Sequence, residues 1–136
     1  MSRLFFNASF PADLRGKISS LLVQLEWMLP LWVQRCDIQW EATNSHAIAQ
    51  CEVMPDYRIV RITIAPLFLE FDELRQYEFL THEMVHCFNL PLAVLAREIT
   101  DMLCETGSQL HTVLNKQIDE KMEMITQDMS YVLAKR

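Results

Sequence analysis

The stretch "THEMVHCFNLP", residues 81–91, carries two histidines four apart and a glutamate directly after the first: His82, Glu83 and His86. On an α-helix each residue turns by about 100°, so side chains four apart lie within about 40° of one another. His82 and His86 then share one face, and neutral imidazole nitrogens are good donors to a divalent metal. Glu83 falls about a quarter-turn aside, where its carboxylate can take a proton from a water at the metal without ligating the metal. A metal-dependent hydrolase needs this layout, two nitrogens for the ion and a base for the water. The helix also needs a face to bury, and Leu74, Tyr77, Leu80, Met84 and Phe88 gather opposite the histidines.

The elements around the motif follow from periodicity. A helix is expected over 72–90, opened by Asp72 as N-cap and stopped before Pro91. A further helical pattern follows from 92 to 104, Gly107 breaks it, and a long C-terminal helix runs from 109 to 134. Ahead of the motif the chain reads as strands. "DIQWE" is short and alternating; residues 47–53 put Ala47, Ala49, Cys51 and Val53 on one face. "MPDY" supplies a turn, and residues 58–65 follow with Val60, Ile62 and Ile64 on one face, which suggests an antiparallel hairpin. Ile59, Arg61 and Thr63 give that last strand a mixed outer face, as an edge or site-facing strand often has. Nearer the start, Pro11 opens a helical pattern of Leu14, Ile18, Leu21, Leu22, Leu25 and Met28, ended or kinked near Pro30. With no linker or internal repeat, residues 1–136 are expected to form a single α+β domain. It comprises an N-terminal helix, a small antiparallel or mixed sheet, the helix 72–90 and a long C-terminal helix.

Residues 58–91, "RIVRITIAPLFLEFDELRQYEFLTHEMVHCFNLP", resemble the strand, active-site helix and motif of zincin-type metallopeptidases. The likeness is to the compact, single-domain, gluzincin-like metallopeptidases of the phage and prophage type. It implies a zincin-like fold, one zinc ion per chain bound by His82 and His86, and Glu83 as general base. It also implies hydrolysis of a peptide bond in a peptide or protein substrate. A metzincin would continue with Gly and then His where this chain has Asn89 and Leu92, and the endoribonuclease-like H-x3-H-x5-H pattern fails at the same Leu92. The third ligand must therefore come from elsewhere, and gluzincins supply it as a glutamate on a later helix. In "IDEKMEMITQDMSYVL", residues 118–133, Ile118, Met122, Ile125, Met129 and Leu133 form an apolar stripe expected to pack on the body. Asp119, Glu123, Thr126 and Ser130 form a polar seam beside it. A carboxylate at the edge of a packed face can reach an interior ion, and "EMITQDMSYVL" resembles the ligand-bearing last helix of the compact family, with Glu123 at the ligand position. Glu123 is therefore assigned, with Glu120, Asp119, Glu105 and His111 as alternatives. Glu78 and Arg75 lie on the histidine stripe one and two turns earlier, where they could orient a ligand. His46, in "ATNSHAIA", reads as a surface histidine.

Composition narrows the function classes. The net charge is −6 with no Lys/Arg cluster, which disfavours a nucleic-acid partner, since phosphate binding needs concentrated positive charge. No apolar run is long enough to span a membrane, and the N-terminal stretch lacks an export signal, so a cytoplasmic chain is expected. Cysteines 36, 51, 87 and 104 show no C-x-x-C spacing and read as small buried hydrophobes in a reduced compartment. Besides the metallopeptidase, a second function fits: a catalytically inactive, zinc-stabilised adaptor, whose acidic charge and Met-rich last helix suit a partner. A groove leading from solvent to the metal would separate the two.

Overall fold

The computed structural model describes residues 2–43 and 47–134, so the expectation for His46 lies outside the described residues. Four strands form one sheet: β1 (Leu4–Phe6), β2 (Arg35–Trp40), β3 (Ala49–Met54) and β4 (Ile59–Ile64), in the order β1-β2-β4-β3. β1, β2 and β4 are parallel neighbours, and β3 pairs antiparallel with β4. The β3–β4 hairpin turns through Pro55–Tyr57 and is closed by Arg58 in the left-handed region, at φ 57°.

Register puts Cys36 and Ile38 of β2, Val60, Ile62 and Ile64 of β4, and Cys51 and Val53 of β3 on one face. The β2 and β4 members of that set are fully buried. The other face is polar: Asp37, Arg61 and Glu52 stand in register across three strands, as do Gln39, Thr63 and Gln50. This corrects the expectation of an edge strand at 58–65. β4 is an interior strand, and its mixed residues mark a sheet covered on one face only, with Arg61 held by Glu52 at 3.4 Å. The free edge beside β4 belongs to β3. β1 was not expected from the sequence; three residues are too few to show alternation.

Helix α1 (Ala12–Leu25) buries Ile18, Leu21, Leu22 and Leu25 against the apolar face of the sheet and ends in a tight turn over Glu26–Met28. The Arg3 guanidinium donates to the carbonyls of Pro30 and Val33 at 2.8 and 2.9 Å. The Glu26 carboxylate accepts the Arg3 backbone N–H at 2.6 Å, which joins β1 to the end of α1.

Helix α2 (Glu73–Leu103) begins as expected, with the Asp72 carboxylate accepting the Arg75 N–H at 2.9 Å. It does not stop at Pro91 but continues through it to Leu103. An interior proline removes one backbone hydrogen bond and crowds the preceding turn. That cost is offset by packing against α3 (Gln109–Ala134), where Ala93 and Thr100 are buried. Gly107, at φ 82°, makes the reversal between the two helices. Their links run antiparallel: Asp101 with His111, Arg97 with Asp119, and Asn89 Nδ2 donating to Thr126 Oγ1 at 2.9 Å.

The packed face of α3 also differs from expectation. Thr126 and Ser130 are buried, whereas Ile125 and Met129 are 47% and 37% exposed. The helix is turned toward its polar seam, and the buried Thr126 hydroxyl is paired, as burial requires. Among the described residues no helix is long and apolar enough to cross a membrane.

Candidate metal centre

The proximal part of α2 is fixed by its buried face. Leu80, Met84, Val85 and Cys87 lie in the core with β4 and α1, and each fully buried side chain of this size contributes roughly 1.5–3 kcal/mol. Two members of the expected apolar face do not join it: Leu74 is 65% and Phe88 45% exposed, because the sheet supports only the middle of the helix. With that face fixed, both imidazoles turn toward α3. Their Nε2 atoms lie 3.1 Å apart, close enough for one N–H to donate to the other nitrogen when no ion is bound.

Glu123 of α3 completes the group. Its carboxylate oxygens lie 3.2 Å from His86 Nε2 and 3.4 Å from His82 Nε2. Zinc bonds of 2.0–2.2 Å in a tetrahedral site imply donor atoms about 3.4 Å apart. The two nitrogens stand near that spacing, and each has a Glu123 oxygen at a similar distance, Oε2 for His82 and Oε1 for His86. His82, His86 and Glu123 form a group that can hold a metal ion. The turn of α3 toward its polar seam is what brings the half-exposed Glu123 to the histidines.

Burial, with His82 beside it, lowers the pKa of His86 below the usual imidazole value, against the pull of Glu123. A neutral imidazole keeps the lone pair a metal needs. His86 Nδ1 is buried without a protein partner, so the polar contacts of this ring are those at Nε2. Glu83 is 8% exposed and is not one of the three donors. Burial first, and the nearby Glu123 second, push its carboxyl up to about 8.

Two cavities meet at His82. One, of about 650 Å³, is walled by β3 and by Glu83, His82, His86 and Glu123. The other, of about 730 Å³, lies on the far side of His82, between the start of α2 and the end of α3, and includes Phe79, Arg75 and Tyr131. The group is thus reached from two sides, with the outer edge of β3, unpaired among the described residues, bordering the first cavity.

The alternative third ligands are elsewhere. Asp119 is engaged by Arg97, Glu120 faces Lys116 at 3.9 Å, His111 meets Asp101 at 2.6 Å, and Glu105 is exposed at the hairpin turn. Arg75 and Glu78 pair with each other at 3.1 Å rather than with a histidine. Thr63, on the face read as that of an edge or site-facing strand, does line the first cavity. Gln50, Cys51 and Glu52, which line it too, were not foreseen as site residues, and recognising β3 as the edge strand was the missing signal. The four cysteines are free. Cys36 and Cys87 are buried, Cys51 and Cys104 partly so, and the sulfurs of Cys51 and Cys87 lie 3.9 Å apart. No family model, no curated protein and no solved structure matches this chain, so its site is read from its own geometry.

Proposed function

We propose that the chain is a zinc-dependent metallopeptidase of the compact, gluzincin-like kind, acting on a peptide or protein in the cytoplasm. One observation carries this reading: two imidazole nitrogens and a carboxylate come together as a group that can hold a metal ion, while a second acidic residue, Glu83, faces the same cavity outside the donor set. When bound, zinc supplies Lewis acidity toward the scissile carbonyl and lowers the pKa of a water. Glu83 accepts the proton of the attacking water and delivers it to the departing amide nitrogen. Cationic charge at the donor group opposes the burial that holds Glu83 protonated, which favours its basic form. The edge of β3 that does not pair with β4 is the one that an extended substrate backbone can join. Gln50 and Glu52 stand where they would meet such a substrate.

The inactive-adaptor reading predicts a closed metal site, as structural zinc sites are. The two cavities that meet at His82 favour the enzyme instead. The test is cleavage of a fluorogenic peptide library by zinc-loaded protein, compared with Glu83→Gln. The variant should keep zinc and lose roughly two orders of magnitude or more in rate. Loss of zinc by the variant, or equal cleavage by both proteins, would contradict this role for Glu83.

A further inference from the structure

Beyond Pro91 the α2–α3 hairpin is apolar but hardly buried. Of residues 92–125 only Ala93 and Thr100 are fully buried. Phe88, Leu92, Leu95, Ile99 and Met102 recur at spacings of four, three, four and three, the heptad pattern of a helix that packs along another helix. Their exposures run from 45% to 84%, so α3 covers another side of α2. The stripe borders an apolar groove of about 360 Å³ between the two helices, walled by Ala96, Leu114, Ile118 and Ile125.

We propose that this face binds a second copy of the chain, giving a dimer built around a four-helix bundle. A two-fold axis along the hairpin lays the α2 stripe of each copy into the α2–α3 groove of the other. The area suffices: with Leu103 and Leu110 at the turn, the stripe offers on the order of 800 Å² of exposed side chain, about what each partner contributes to a standard interface. Charge fits as well. Glu98 lies on the flank of α2 away from α3, Lys121 lies on the α3 wall of the groove, and neither makes an ion pair among the described residues. In the two-fold arrangement Glu98 comes over Lys121 of the partner subunit, and the reverse. This proposal is independent of the metal reading.

Sedimentation equilibrium on the full chain, from about 1 to 200 μM, tests it. The wild type should dimerise within that range, and Leu95→Lys or Ile99→Lys should raise the dissociation constant at least about a hundredfold with an unchanged circular dichroism spectrum. Glu98→Lys and Lys121→Glu alter exposed residues and leave the fold intact. Each alone should weaken the dimer about tenfold at low salt, and the double variant should restore it to within about threefold of wild type. A wild type that stays monomeric throughout overturns the proposal. So does a dimer indifferent to Leu95→Lys and Ile99→Lys, or a double charge swap that fails to restore association.

Discussion

The two halves of α2 are equally helical but differently used. The segment from Glu73 to Leu90 places Leu80, Met84, Val85 and Cys87 at essentially no exposure and holds both histidines toward α3. The segment from Leu92 to Leu103 is as rich in large apolar residues yet leaves Leu92, Leu95, Ile99, Met102 and Leu103 between 47% and 84% exposed. The first half is clamped between sheet and α3, which allows it to hold ligand atoms at fixed spacing. The second has α3 on one side only. A periodic apolar face thus shows that a helix has something to bury, and its neighbours decide whether it is buried within the chain.

Substitutions can break this comparison, and the largest effect should come from the clamped half. Leu80→Ala should lower unfolding stability by about 2–5 kcal/mol, since the cavity it leaves lies between rigid layers. Chemical denaturation of the metal-free protein measures it, and a loss under about 1 kcal/mol would mean the proximal half is not held as described.

Glu83 should give the next largest effect, and it depends on pH. In the metal-free fold its carboxyl is raised to about 8 from 4.5, so between those values the folded state binds the proton that the unfolded state releases. Stability from this group therefore falls as pH rises from about 4.5 to about 8, and the full penalty is present above that window. Glu83→Gln removes the charge. Metal-free Glu83→Gln should exceed the wild type by on the order of 3 kcal/mol at pH 8.5, with the difference shrinking toward pH 5. Parallel stability–pH curves for the two proteins would contradict this assignment.

Pro91 sits at the boundary of the two halves. Pro91→Ala should restore the missing backbone bond and stabilise the chain by about 1–3 kcal/mol. Destabilisation in thermal melts would show that the local shape of α2 at the proline is needed for packing on α3. The smallest effect belongs to the distal half: at a concentration that keeps the chain monomeric, Leu95→Ala should change stability by less than about 1 kcal/mol.

Much of this was legible in the chain itself because it is local. The Asp72 cap, the β3–β4 hairpin with its buried Val60, Ile62 and Ile64, the break at Gly107 and the shared face of His82 and His86 all follow from short-range spacing. Features that depend on partners distant in sequence were not legible. Strand order placed β2 beside β4 and left β3 at the edge, which an alternating pattern cannot specify. Pro91 forecast a helix end, but packing on α3 overrode the local cost. The apolar stripe on α3 pointed to Ile125 and Met129 as its packed face. The hydrogen bond between Asn89 and Thr126 lies instead on the polar side, and the resulting turn carries Glu123 to the histidines.

The most direct test of the central claim is a zinc titration by calorimetry on chelator-treated wild type, His86→Ala and Glu123→Ala, with Asp119→Ala and Glu120→Ala as controls. The geometry predicts one site per chain in the wild type, affinity weakened by at least about a hundredfold in His86→Ala and Glu123→Ala, and wild-type binding in both controls. A wild type that binds no zinc would contradict the account, as would a Glu123→Ala protein that binds as tightly as the wild type.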